Sequence, residues 1–328
     1  MAKYSLPQPI PLPNPYSLFR GFNFIRPIKI ENSGSVLKDY QVKITLTQDN
    51  FPFEKCRADG ADIRFRDDSG EIVPYWIESW SNNQAIIWCK VPYIPEDDST
   101  FLWMVYGNPT AESQSNPLTT FDFYDDFSGI HSLSDYTIVD EGTGESPSNW
   151  ELDTVNKKII QHSNIFTANG GETFGSALLT GLSIGDFEIT IKTKEVDDDI
   201  IGILFCYTDT SHFYHYSYTN DYAGVDAGGT TCARDTFRWL GKDDDAHCVS
   251  NLADDTSAPG VSDTVTIKIR RYGDNIKVLE DGNTIFLVSD SSHDKGDIGL
   301  MTDGCAEGEF LPPFIVRKYT YPEPTIIL

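Results

Sequence analysis

The stretch Ile200–Tyr218, Ile-Ile-Gly-Ile-Leu-Phe-Cys-Tyr-Thr-Asp-Thr-Ser-His-Phe-Tyr-His-Tyr-Ser-Tyr, constrains this chain more than any other. Two runs of β-branched and aromatic residues flank the short polar turn Thr208–His212, which predicts a two-stranded hairpin. Side chains alternate across a strand, so Tyr214, Tyr216 and Tyr218 share one face, and Phe213, His215 and Ser217 the other. A strand this aromatic on one face either packs against a second sheet or lines a groove. Such a groove suits flat ligands, and sugars qualify because their C–H faces stack on aromatic rings.

The same short-strand signal recurs along the chain. Before Tyr106 it predicts strands at Phe24–Glu31, Gln41–Thr47, Asp62–Arg66, Val73–Trp80, Ala85–Pro92 and Thr100–Tyr106. The turn clusters Asn32-Ser33-Gly34, Asp67-Asp68-Ser69-Gly70, Ser81-Asn82-Asn83 and Pro95-Glu96-Asp97-Asp98 separate them. Short, even spacing of this kind suits a β-sandwich. After Phe121 about a dozen more strands are expected, among them Phe187–Thr193, Thr264–Arg271, Asn275–Glu280 and Phe314–Tyr319, with an Asp281-Gly282 hairpin signal. The predicted fold is all-β, with two β-sandwich domains and no convincing helix. Its parts are a Pro-rich arm over 1–18, a sandwich over 19–120, a jelly roll over 121–320 and a tail over 321–328. In the arm Pro7, Pro9, Pro11, Pro13 and Pro15 alternate, so only an extended backbone is open to it, and only one of its edges can donate hydrogen bonds. The tail alternates Pro322 and Pro324 before three apolar residues. At least one end is therefore expected to dock on a sheet edge, in its own chain or in a neighbour's.

Asp and Glu number 50 against 25 Lys and Arg, a net charge of −25. This disfavours nucleic acid, whose phosphates need clustered cations, and anionic membranes. No run of 18 apolar residues is present, so membrane insertion is not expected. Met1–Ser5 lacks an apolar signal core, as in a processed secreted protein or in a virion protein. The six cysteines include no C-x-x-C pair, which argues against zinc. Cys232 and Cys248 bracket a segment containing Trp239 and are the expected disulfide.

The first part resembles the domain-of-unknown-function 2341 family over residues 20–110. The words that carry this are Arg26–Ile30, Leu37–Val42, Asp59–Phe65, Pro74–Glu78 and Tyr106–Pro109. The second is similar to concanavalin A-like (laminin-G-like) jelly rolls. Its words are the opening Asp125-Asp126-Phe127, the Gly202–Tyr214 hairpin, Asp281-Gly282, Gly299-Leu300 and the closing Val316-Arg317-Lys318-Tyr319. The resemblance implies a large surface or secreted protein. The first family has no established activity, and the second is mostly a binding fold. The second resemblance also implies a calcium ion between opening and closing strands, for which Asp125 and Asp126 are the candidate ligands. The closing segment reads Leu311–Ile315 where an acid is usual.

Glu195, Asp197 and Asp199 imitate the E-x-D-x-E pattern of laminarinase-type glycosidases, but with Asp third and between strands, where a solvated acidic turn is the simpler account. Trp76, Glu78 and Trp80 alternate, either as a sugar platform or as core indoles beside a Glu paired to Arg64 or Arg66. The best ligand candidates are Tyr207, His212, Tyr214, Tyr216, Tyr218, Arg234 and Trp239, against the alternative that the aromatics fill the inter-sheet space. The expected function is a non-catalytic extracellular or cell-surface adhesion module that recognises glycan, or a protein partner, through this aromatic groove. The alternatives are a filament or virion subunit that forms homo-oligomers through the N-terminal arm or C-terminal tail, and a polysaccharide-active enzyme.

Overall fold

The computed structural model describes residues 21–142, 144–166, 174–196, 200–219, 237–244, 250–257, 259 and 263–328. Its elements in chain order are β1 (Phe24–Glu31), β2 (Leu37–Thr47), β3 (Arg64–Arg66), β4 (Tyr75–Trp80), β5 (Gln84–Ile94), β6 (Ser99–Tyr106) and the helical turn α1 (Pro117–Thr120). Then come β7 (Phe123–Asp125), β8 (Thr137–Asp140), β9 (Trp150–Asp153), β10 (Lys158–Gln161), β11 (Ser176–Leu179), β12 (Phe187–Lys194), β13 (Ile200–Asp209) and β14 (His212–Tyr218). The last are β15 (Arg238–Asp244), β16 (Ser250–Asp255), β17 (Thr264–Tyr272), β18 (Asn275–Glu280), β19 (Asn283–Ser289), β20 (Asp297–Asp303), β21 (Gly308–Lys318) and β22 (Thr325–Ile327). All-β is therefore the observed class, and no helix among the described residues is long and apolar enough to cross a membrane.

Two compact units emerge, Met1–Thr120 with Pro322–Leu328, and Phe121–Tyr321. In the first, a sheet ordered β22-β1-β6-β3 and a sheet ordered β2-β5-β4 enclose one core. Alternation builds it: Ile28 and Ile30 of β1 and Val42, Ile44 and Leu46 of β2 point inward and are buried, while Lys29 and Glu31 face out and pair at 2.5 Å. The 321–328 tail is not a separate appendage. Ile326 of β22 pairs with Ile30 of β1, Tyr40 donates to Glu323 at 3.0 Å, and Ile326 and Leu328 pack on the core. The tail thus docks on a sheet edge of its own chain, and the second unit is inserted between β6 and β22 of the first. The Pro-rich arm lies outside the described residues.

Two of the family words interlock here. Asp62, 1% exposed, accepts the backbone amides of Arg57 (2.9 Å), Gly107 (2.8 Å) and Asn108 (3.1 Å). One carboxylate thereby ties the Asp59–Phe65 word to the Tyr106–Pro109 turn. Gly107 turns there at φ +85°, and a Cβ on it would meet the Phe24 ring at 2.6 Å.

The second unit faces an eight-stranded sheet against a seven-stranded one. The first runs β19-β18-β17-β12-β21-β10-β9, with β7 also on β21; the other runs β16-β15-β14-β13-β20-β11-β8. Ile189 and Ile191 of β12, Ile267 and Ile269 of β17, and Phe314 and Val316 of β21 meet Ile201, Ile203 and Phe205 of β13 and Leu300 of β20 between them. The strands missed by sequence reasoning, β7, β8, β9, β16 and β22, are short or polar and carry little alternation. β21 begins before the predicted Phe314 and continues through Pro312-Pro313; its register with β12 shifts between Thr190 and Lys192, an irregularity that accommodates residues lacking ladder donors.

Candidate functional site

The β14 tyrosines and Trp239, proposed for the aromatic groove, are buried instead. Tyr214, Tyr216 and Tyr218 are at most 1% exposed and belong to the core between the two sheets. Their hydroxyls are satisfied inside it. Tyr214 donates to Asp290 at 2.5 Å, Tyr216 donates to Glu280, and Tyr218 lies 2.9 Å from the Thr193 hydroxyl. Burial pushes all three phenols above their ordinary pKa. Tyr207 and Trp239 sit on the opposite face of the seven-stranded sheet, in a second buried cluster with Phe174, Leu204, Phe213 and Met301.

Tyr207 left the tyrosine face because β13 bulges. Cys206 adopts φ +53°, the register slips after Phe205, and one extra residue flips every later side chain to the other face. Burial, followed by the repulsion of Glu141, Asp209 and Asp297, pushes the Tyr207 phenol up to about 12. His212 stands apart at the hairpin tip, its Nδ1 2.8 Å from Asp209. Arg234, Cys232 and Cys248 lie outside the described residues.

The remaining candidates also take up internal partners. Asp125 is fully buried; it accepts the Tyr136 hydroxyl at 2.6 Å and the Phe127 amide at 2.8 Å, and burial raises its pKa. Asp126 accepts from Ser128 and, at 3.2 Å, from Lys157. Both carboxylates are taken by protein donors, and among the described residues no group of three His, Cys, Asp or Glu side chains is placed to hold a metal ion. This donor set does not fit a calcium ion, which needs six or more oxygens around it. Glu195 is buried, and Asp197–Asp199 lie outside the described residues. Glu78 pairs not with Arg64 or Arg66 but with the Trp88 indole N–H at 2.7 Å. Trp80 packs edge-on against Phe51 and Phe53, a core role.

An exposed aromatic site lies elsewhere, on the outer face of the eight-stranded sheet. A cleft of about 380 Å³ is lined by Arg270, Tyr272, Asn275, Lys277, Leu287, Tyr319 and Tyr321. Strand alternation creates it. With Ile269 of β17 and Ile276 and Val278 of β18 turned to the core, Arg270, Tyr272, Asn275 and Lys277 must face outward. Leu287 pairs across from Lys277, Lys277 from Arg270, and Arg270 from Glu188 of β12, which pairs in turn with Arg317 of β21. Leu287, Lys277, Arg270, Glu188 and Arg317 therefore form one row across five strands, about 19 Å long at ~4.8 Å per strand gap.

Glu188 anchors the row. It is 3% exposed and meets Arg270 at 2.5 Å, Arg317 at 2.9 Å and Lys268 at 3.5 Å. Burial alone would raise its pKa, but the three cations hold it down at about 2. Arg270 and Arg317 also lie over the Tyr319 ring, 5.1 and 5.6 Å from its centroid. Tyr319 is thus a fixed floor, 9% exposed, while Tyr321 (71%) and Leu287 (65%) stand free as walls. A hollow of about 820 Å³ in the first unit, beside Arg26, Asn50 and Cys56, is also lined by Phe51 and Phe53, which are only 3% and 8% exposed.

Sequence reasoning missed this cleft. Its signal was the outward half of the alternation, Lys268-x-Arg270-x-Tyr272, Asn275-x-Lys277 and Tyr319-x-Tyr321.

Residues 59–152 match a family described as Domain of unknown function (DUF2341). The match starts at the Asp59 word and crosses from the first unit into the second; the Arg26–Ile30 and Leu37–Val42 words lie outside it. No curated protein matches the chain. Among solved structures, carbohydrate binding module CBM66 from Bacillus subtilis aligns at 16% identity over 55% of this chain and 99% of that one, with a TM-score of 0.40. A Bacillus subtilis protein of unknown function with a galectin-like fold aligns at 11% over 60% and 96%, TM-score 0.43. CG-16, a homodimeric agglutinin from chicken liver, aligns at 15% over 42% and 97%, TM-score 0.31. Nothing about a ligand follows from likenesses of this size.

Proposed function

We propose that the second unit, a concanavalin A-like sandwich, is a non-catalytic glycan-binding module of an extracellular or cell-surface protein. The observation that carries this is the exposed Tyr321 and Leu287 flanking a cleft floored by Tyr319 and edged by Arg270, Asn275 and Lys277. A sugar ring presents apolar C–H faces ringed by hydroxyls. Tyr321, Tyr272 and Leu287 offer apolar surface, Asn275 both donates and accepts, and Arg270 and Lys277 donate. No cleft residue is an acid, and Glu188 beside it is gripped by three cations and kept ionised. Paired-carboxylate hydrolysis needs a proton donor that this arrangement does not offer.

The test is affinity electrophoresis of the full chain through a panel of soluble polysaccharides, with Tyr321→Ala and Tyr272→Ala beside the parent. Retardation by at least one polysaccharide is expected, weakened about 10-fold (~1.4 kcal/mol) by Tyr321→Ala with the thermal midpoint unchanged. Migration unaffected by every polysaccharide, or unaffected by both substitutions, overturns the reading.

A further inference from the structure

The row through the cleft is cationic in a strongly anionic protein. Three basic groups, Lys268, Arg270 and Arg317, surround the single carboxylate of Glu188, and Lys277 adds a fourth next along the row. Among the described residues Lys277 makes no ion pair. Asp186, the nearest acid on the adjoining row, is turned to the Gly273 amide at 2.8 Å and to Arg271. The chain as a whole carries −25. A patch of opposite sign on such a background concentrates a positive field that draws anions to the cleft.

The chemistry of the anion is written in the row itself. Glu188 shows how these side chains hold a carboxylate, with Arg270 Nε and Arg317 Nε each bonded to one of its oxygens. At the other end, Lys277 stands beside Leu287 and the tyrosine walls, an ammonium next to an apolar surface with no acid to meet it.

We propose that the ligand of this cleft is a carboxylate-bearing sugar chain, a polyuronate, lying along the Leu287–Lys277–Arg270 row with a uronate carboxylate on Lys277 and its ring against Tyr321. This rests on the glycan-binding reading and names its ligand class. The Leu287–Lys277–Arg270 part of the row crosses two strand gaps, about 10 Å at ~4.8 Å each, and the half-buried Lys268 extends the basic face along β17 for a further uronate.

The test is titration calorimetry of the full chain with oligogalacturonate, its fully methyl-esterified form, dextran and dextran sulfate, repeated with Lys277→Gln and Tyr321→Ala. Oligogalacturonate is expected to bind about 10-fold more tightly than its ester, with an affinity that falls as salt rises. Lys277→Gln should weaken the acid about 2- to 5-fold and leave the ester unchanged. Equal affinity for acid and ester overturns the ligand class; if Tyr321→Ala still weakens both, the glycan-binding reading stands without it. Dextran sulfate binding more tightly than oligogalacturonate overturns the choice of carboxylate over sulfate. No heat with any of the four carbohydrates overturns the uronate inference, and a panel without retardation besides overturns the glycan-binding reading.

Discussion

Replacing Asp62 tests whether the most specific family words of the first unit encode a clasp rather than a binding site. Its two carboxylate oxygens satisfy three backbone amides, those of Arg57, Gly107 and Asn108, at 2.8–3.1 Å, and the residue is 1% exposed. In Asp62→Ala the buried Gly107 amide loses its partner outright, a cost of about 1–3 kcal/mol, while the half-buried Arg57 and Asn108 amides recruit water at about 0.5–1 kcal/mol each. The expected loss is roughly 3–4 kcal/mol. Asp62→Asn keeps the shape and one oxygen, and should cost about half as much. Urea unfolding, followed by fluorescence of Trp80, which packs over Gly60 in the same word, reads both values from the midpoint at constant slope. A loss under about 1 kcal/mol for Asp62→Ala would refute the clasp, because three orphaned amides cannot cost so little. Unchanged stability together with altered ligand affinity would recast the word as a site.

Three other outcomes follow from the same structure. Glu188 sits below its ordinary carboxylate pKa of 4.5, at about 2, so its stabilisation is complete above pH ~4.5 and lost as pH falls toward ~2; acid unfolding of the parent should show a loss of roughly 3 kcal/mol over that window, and a curve for Glu188→Gln with the same acid limb would sink the assignment. Tyr216→Phe removes the donor to buried Glu280 and should cost about 1–2 kcal/mol by denaturant midpoint without changing sugar affinity; weakened sugar binding at unchanged stability would restore the hairpin as the ligand site. Deleting residues 323–328 strips Ile326 and Leu328 from the first core and the partner from β1, at an expected roughly 2–3 kcal/mol; an unchanged midpoint would show that the return strand adds nothing.

The strand pattern was legible because each strand buries one face. Phe24–Glu31 and Asn275–Glu280 follow from alternation with boundaries matching the structure, and the all-β class follows from the number of such strands. The hairpin Ile200–Tyr218 was equally legible as a pair of strands. Its tyrosine face was not legible as core or groove, since an aromatic stripe looks the same against a second sheet as against a ligand. Only the sheet opposite, with Phe187, Ile267 and Ile276, decides that it is core. Nor does local sequence announce the left-handed backbone at Cys206 that parts Tyr207 from Tyr214. The cleft is the converse case. Each of its side chains was assignable to an outward face, yet Glu188 and Arg317 stand 129 residues apart and become neighbours only because β12 lies between β17 and β21. Likewise the apolar tail announced that it must be buried, but not that it returns to β1. Period-two alternation is a property of one strand and survives in one dimension. Which strands lie side by side, and so which outward residues form a row, is set by long-range pairing that a linear pattern does not contain.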